Sequence, residues 1–286
     1  MRKLTSPITA ALVCALFTPG LLLAQGPSNL RPSVPTRMSE PATDLVLPVR
    51  EAPLNLVPPS AMVRLAPQLA LECYQRKLQA QAQYLAEYSA ATTIRAELPS
   101  SSQQGEFELK RHYTAPNTLK FTAVKYSGDG FVKSNVITRL LQSEVEHVSK
   151  RESAQTAISP DNYKFSYKGV EQVGDQPVYV YEVKPRQKRP GLFKGKIYLD
   201  AFTGGLRKAE GVIVKSPSFW VKKIEFVQEY ADFGSFTFPV HMHSVANTRL
   251  IGQAVVDVTI RDYTPTSLTD LTYGQLTAAG SSPQGK

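Results

Sequence analysis

The sequence predicts an α+β fold: a strongly curved antiparallel sheet of about ten strands covered by two or more amphipathic helices. Three observations carry this. Gly195 to Tyr263 reads as five consecutive strands, each with one apolar face. The links between them (Thr203-Gly204-Gly205, Ser216-Pro217-Ser218, Asp232-Phe233-Gly234, and Asn247 to Gly252) are too short for the crossover helix that parallel strands need. Two stretches upstream carry apolar residues at helical spacing. Strands with one wet and one buried face are typical of antiparallel sheets, and the apolar side of such a sheet needs cover.

The elements follow in chain order. Met1-Arg2-Lys3 supplies a positive start, Ile8 to Leu23 a short apolar run broken by Pro19-Gly20, and Leu22-Leu23-Ala24 a cleavage site before Gln25. Residues 1–24 are therefore expected to be a signal peptide. The other reading is a retained membrane anchor, for which the run is short. Residues 25–60 hold eight prolines and no periodicity, and read as a flexible leader. Within it, Asp44 to Pro48 is apolar enough to lie along the domain or add an edge strand.

The domain is expected over residues 61–264. Ala61 to Tyr88 is rich in helix formers, with Leu65, Leu69, Cys73, Leu78, Leu85 and Tyr88 on one stripe and Pro67 near the start. Strands follow at Ser89–Leu98, Gly105–Tyr113 and Thr118–Ser127. In the second, Phe107, Leu109 and Tyr113 alternate with Glu106, Glu108, Lys110 and His112. Asp129 stands where it can cap a second helix over residues 131–150. There, Val132, Val136, Ile137, Leu140, Leu141, Val145 and Val148 recur at three and four. Strands resume at Asn162–Glu171 and Gln176–Lys184. The C-terminal meander is Lys196–Asp200, Leu206–Lys215, Phe219–Tyr230, Phe236–Val245 and Ile251–Tyr263. Residues 265–286 are rich in Ser, Thr and Gly and read as a disordered tail.

Removing residues 1–24 takes away Arg2 and Lys3 and no acid, so the net charge falls from +9 to +7. That balance favours anionic partners without naming one. Cys14 leaves with the signal peptide, and Cys73 is then the single cysteine, which rules out an internal disulfide.

Motifs for common chemistries are absent: no Gly-x-Ser-x-Gly elbow, no phosphate-binding glycine loop, no Cys-x-x-Cys and no His-Glu-x-x-His helix. No enzymatic activity and no cofactor are expected. His241 and His243 share a strand face, as two metal ligands would. That face is opposite Phe238, Val240 and Met242, and no third ligand is apparent, so the chain is read as lacking a metal site; a metal-assisted hydrolase is the third-ranked functional reading.

The element order, with Gly195-Lys-Ile-Tyr-Leu-Asp200 followed by Gly204-Gly205-Leu206-Arg-Lys, resembles the LolA/LolB-type periplasmic lipoprotein carriers and the related RseB-type sensor domain. The resemblance covers roughly Ala61 to Tyr263. It implies an exported, periplasmic protein whose sheet bends into an unclosed barrel under helices acting as a lid. It also implies a lipid or acylated protein as ligand, held in an apolar cavity between sheet and helices. Candidate lining residues are Trp220, Phe226, Phe236, Phe238, Phe107, Phe121, Tyr181, Leu69 and Leu140. The same aromatic faces also read as a filled core. That leaves a second function open: an envelope-stress sensor or scaffold that works through protein contacts with no lipid ligand. The loop between Lys184 and Lys196 has six basic residues and no acid. Within it, Arg186, Lys188, Arg189, Leu192, Phe193 and Lys194 are candidates for contact with an anionic membrane surface or another envelope protein. The alternative is a solvated excursion, and nucleic acid is excluded as a partner by export.

Overall fold

The computed structural model describes residues 63–216, 221–249 and 252–270, so the expected signal peptide, the leader and most of the expected tail lie outside the described residues, as does Trp220. Helix α1 (Pro67–Tyr84) leads into β1 (Leu85–Leu98), β2 (Gln103–Thr114) and β3 (Thr118–Gly128). A helical stretch follows, made of α2 (Gly130–Val132), a π turn (Lys133–Ile137) and α3 (Thr138–Ser149), and then the short α4 (Ser153–Thr156). The remaining strands are β4 (Tyr163–Val173), β5 (Gln176–Pro185), β6 (Phe193–Asp200), β7 (Leu206–Ile213), β8 (Val221–Phe233), β9 (Phe236–Thr248) and β10 (Gln253–Ser267). They form one antiparallel sheet in the order β3-β2-β1-β10-β9-β8-β7-β6-β5-β4. Its end strands β3 and β4 do not pair, so the sheet is curved and unclosed, as the alternation predicts.

The register lines up side chains in rows that cross all ten strands. One inward row starts with Tyr126 and Phe107 near the β3 edge, passes Ile94, Val258 and Met242, and ends with Tyr181 and Tyr167 at the β4 edge. The next inward row is built largely of small residues, among them Gly105, Ala96, Ser244, Gly211 and Gly195, with Phe226 and Phe165 the large exceptions. Between these two rows, on the outer face, run two charged ladders separated by His243 and Val227: Glu106, Arg95 and Asp257 on one side, and Glu210, Lys196 and Glu182 on the other. Opposite charges on neighbouring strands attract, so the wet face reinforces the register that the greasy face sets.

Curvature has identifiable causes. Register shifts interrupt β1–β10, β2–β3, β4–β5, β6–β7 and β8–β9, and each extra residue bends its strand and increases the twist. Gly195 and Gly211 face each other across β6 and β7. A Cβ on Gly195 would lie 1.9 Å from the Glu210 carbonyl oxygen, and one on Gly211 would lie 2.8 Å from the Phe193 ring. The backbones therefore meet where only glycine fits, and Phe193 covers the gap.

Helix α1 seats differently from the expected stripe. Ala70, Leu71, Tyr74 and Gln81 are its buried residues, while Leu69 is 40% exposed. The reason is a close approach: a Cβ on Gly204 would stand 2.5 Å from the Ala70 carbonyl and 2.7 Å from the Cys73 Cβ. The helix thus meets the sheet closely at Ala70 and Cys73; of the expected stripe, Leu65 and Leu78 pack against the core while Leu69 turns outward. The helix also ends earlier, at Tyr84, and Leu85 and Tyr88 belong to β1. Asp129 caps the second helical stretch as expected, its Oδ1 accepting from the Phe131 N–H at 2.7 Å.

The second outer ladder ends in a clasp at the β4–β5 edge. Glu182 accepts from both Lys168 and Lys184 at 3.0 Å, and hydrogen bonding to these two ammonium groups holds its carboxyl down to about 2. A depressed carboxyl adds stability that is present above the ordinary value of 4.5 and is lost as pH falls through the folded value. Carboxyl-detected NMR should show Glu182 titrating near pH 2; a midpoint near 4.5 would break this account of the edge. Gly195→Val should lower folding stability by at least about 2 kcal/mol through backbone overlap, read from the urea midpoint.

Candidate functional site

The candidate site is the concave trough under the helices. Its floor carries three aromatic groups rather than one. At the α1 side, the rings of Phe238 and Tyr263 stack at 4.5 Å, with Tyr88 5.0 Å from Phe238 and Phe236 6.3 Å from it. Over the glycine bend, Phe193 meets Phe226 edge-on at 4.9 Å and Tyr163 at 5.4 Å. At the β4 edge, Tyr167 packs on Tyr181 at 5.6 Å.

Of the residues expected to line a cavity, Phe226, Phe236, Phe238, Tyr181 and Leu140 are buried on the concave side or on the helix facing it. Phe107 and Phe121 are partly buried against the same core. Leu69 points away, for the reason given by its helix seat, and Trp220 lies outside the described residues. Leu192 and Phe193, expected on the surface of the basic loop, are each only 1% exposed. Strand β6 starts at Phe193, so alternation sends that ring inward, and the Leu192 carbonyl accepts from the Val214 N–H at 2.9 Å. Arg186, Lys188, Arg189 and Lys194 remain exposed.

Two charged residues inside the trough escaped the sequence reading. Arg111 on β2 and Glu144 on α3 face each other with side chains 1% and 2% exposed. The guanidinium grips the carboxylate with two parallel bonds, Nη1 to Oε1 and Nη2 to Oε2, the second at 3.1 Å. Burial pushes the Glu144 carboxyl up against the downward pull of Arg111. Burial opposes the Arg111 charge, yet attraction to Glu144 prevails and holds the guanidinium above its ordinary value. Arg111 also sits over the Phe121 ring at 5.2 Å. Below the pair, His147 is held between Glu152 at 3.3 Å and Thr156 at 3.2 Å, and burial lowers its pKa.

The two roofing elements are attached in different ways. α1 is tied through hydrogen bonds at both ends: the Leu65 N–H donates to the Ala201 carbonyl at 2.8 Å, and the Tyr181 hydroxyl to the Pro67 carbonyl at 2.6 Å. The Tyr179 hydroxyl donates to the Leu65 carbonyl, and the Gln81 side chain exchanges bonds of 3.0 and 2.9 Å with the Thr237 backbone. The helical stretch from Gly130 to Ser149 is bonded at its ends, the Asp129 N–H to the Gln104 carbonyl at 2.8 Å and Asn117 Nδ2 to the Ser149 carbonyl at 3.4 Å. Between them it meets the sheet through apolar side chains such as Val136, Ile137 and Leu140, together with the Arg111–Glu144 pair.

The wall of the trough also holds polar atoms that the fold does not satisfy. Thr92 Oγ1, Gln228 Nε2 and Ser244 Oγ are buried without a hydrogen-bond partner. Each such atom costs about 1–3 kcal/mol, and native cores keep few of them.

His241 and His243 lie half-exposed on the outer face and share Asp257, His243 Nδ1 at 2.8 Å and His241 Nε2 at 3.9 Å. Among the described residues, no group of three or more His, Cys, Asp or Glu is arranged to hold a metal ion. Among the same residues, no helix is long and apolar enough to cross a membrane.

No family model and no curated protein matches the chain. Among solved structures it is similar to a LolA superfamily protein, NE2245 of Nitrosomonas europaea, at 11% identity and TM-score 0.39 over 73% of this chain and 97% of that one. It is similar to a putative outer membrane lipoprotein-sorting protein domain of Vibrio parahaemolyticus, at 13% identity and TM-score 0.40 over 74% and 99%. It is also similar to the Pseudomonas aeruginosa MucA/MucB complex, at 12% identity and TM-score 0.22 over 72% and 96%. The resemblance drawn from the element order is thus met again among solved folds, at values too low to bring a function to this chain.

Breaking a buried ion pair by removing one partner strands the other charge. Arg111→Met and Glu144→Gln should each lower stability by about 3–5 kcal/mol, whereas Arg111→Met combined with Glu144→Leu should restore most of it, as read by urea denaturation.

Proposed function

We propose that the chain is an exported, non-catalytic carrier that holds a lipid or a lipidated protein in its trough, with the Gly130–Ser149 stretch lifting as a lid. The observation that carries this reading is the chemistry of the trough wall. It is largely apolar apart from the paired Arg111 and Glu144, yet it keeps Thr92 Oγ1, Gln228 Nε2 and Ser244 Oγ unpaired. An acyl chain supplies the apolar match, at about 0.8 kcal/mol per buried methylene. An ester or amide linkage on that chain supplies partners for the polar atoms. The lid assignment follows from attachment. α1 is fastened through backbone groups, whereas the other helix is bonded at its ends, by the Asp129 N–H to the Gln104 carbonyl at 2.8 Å and by Asn117 Nδ2 to the Ser149 carbonyl at 3.4 Å, and rests between them on packing and the Arg111–Glu144 pair. The π turn within it is a local irregularity of the kind found at hinges and functional sites. A second reading, a scaffold with a filled interior that works through protein contacts, is favoured by the burial of Phe226, Phe236 and Phe238.

The two readings separate by experiment. The carrier should co-purify with lipid detectable by mass spectrometry, or take up a fluorescent acyl probe, faster in Glu144→Gln than in the natural chain. Absence of both in both proteins would reject the carrier and leave the scaffold. Export itself is read from residues 1–24, and N-terminal sequencing of the secreted protein should begin at Gln25.

A further inference from the structure

We infer that the rim of the sheet opposite α1 is a docking surface for an anionic phospholipid bilayer, whatever the trough itself holds. The hydrogen-bonded register brings the β5–β6 loop, the end of β7 and the start of β8 to one rim, with Lys194 opposite Val212 and Val212 opposite Glu225. Exposed there are Arg186, Lys188 and Arg189 from the loop, Lys194 from β6, Lys215 after β7 and Lys222 on β8. None of these six pairs with a carboxylate among the described residues. Two of the nearby acids are already engaged, Glu182 by Lys168 and Lys184 and Glu225 by Lys223 at 2.7 Å, which leaves Asp161 as an exposed acid beside the loop.

A second observation points the same way. Lys164 on β4 and Lys184 on β5 stand directly opposite each other at this rim. Like charges in that position repel, and although Glu182 offsets Lys184 at 3.0 Å, Lys164 adds a further positive charge to the rim that an anionic surface would attract. The α1 side carries less free charge: Arg207 bonds Asp200 at 3.3 Å and Asp232 at 3.2 Å, and Lys77 lies 3.9 Å from Asp232, while Arg64 and Arg76 are exposed. Basic side chains outside ion pairs are therefore denser on the rim opposite α1. An exported chain meets membranes rather than nucleic acid, and loops drawn from three successive strands form a broad face rather than a groove. Because Leu192 and Phe193 turn into the core, the contact made by these residues is electrostatic rather than insertive. It is accordingly sensitive to salt.

The test uses the full mature chain and vesicles of equal parts phosphatidylglycerol and phosphatidylcholine, with pure phosphatidylcholine vesicles as the uncharged reference. Co-sedimentation should show binding to the anionic vesicles alone, released at about 1 M salt, where the screening length falls to about 3 Å. Each juxtamembrane basic residue strengthens partitioning about fivefold, so Lys188→Gln, Arg189→Gln and Lys215→Gln together should weaken it on the order of a hundredfold. Lys110→Gln, Lys120→Gln and Lys125→Gln, which remove the same charge from β2 and β3, should weaken it by no more than about fivefold. Three results would overturn the inference: no binding to anionic vesicles, equal loss in the two triple variants, or binding that persists at high salt. Retention on immobilised polyglutamate without vesicle binding would do so as well, and would point to an acidic protein. All six substitutions fall on exposed side chains, and matching thermal midpoints verify that the variants fold.

Discussion

A guanidinium and a carboxylate shut away from water join the floor of the sheet to the helix that covers it. Arg111 rises from the sheet floor and Glu144 descends from the helix above it. A buried pair of this kind adds little net stability over apolar residues of the same shape, because both groups give up their hydration. Its effect is positional. Two parallel bonds fix the rotation and the height of the helix, and any other seat would leave two charges in a low-dielectric interior. The apolar side chains along α3 could tolerate a slide of one turn; the ion pair cannot.

Much of this was visible in the chain, and the reasons for the rest are local. Period-2 alternation disclosed the strands because each has one wet face. The helix over residues 131–150 declared itself through its apolar recurrence and through Asp129. Arg111 and Glu144 were legible too, as violations: Arg111 occupies an inward position between Leu109 and Tyr113, and Glu144 interrupts the stripe that runs from Leu141 to Val148. Opposite charges that each break an apolar period are a signal for pairing. Ser244 and Gln228 break their strands' apolar faces in the same manner. The seat of α1 was not legible, because it depends on Gly204 meeting Ala70 across many intervening residues. Leu192 and Phe193 were masked by the preceding Pro190-Gly191, which reads as loop although the strand starts two residues later.

The trough and its two covers divide the labour of the molecule. α1 belongs to the sheet as firmly as a strand does, since tyrosine hydroxyls and a glutamine amide bond its backbone and that of β9. The other helix is an insertion between β3 and β4, the two end strands, so its movement leaves the ladder of the sheet intact. That placement allows the interior to open without unzipping any strand pair.

A sheet that never closes keeps two raw borders, each a row of unpaired amides and carbonyls able to recruit a neighbour's strand. Lys120 and Lys125 line one border, and Lys164 and Lys168 the other. Bringing two such borders together, like with like or end to end, sets ammonium against ammonium. Edge-to-edge growth of fibres is thereby discouraged at both ends of the sheet.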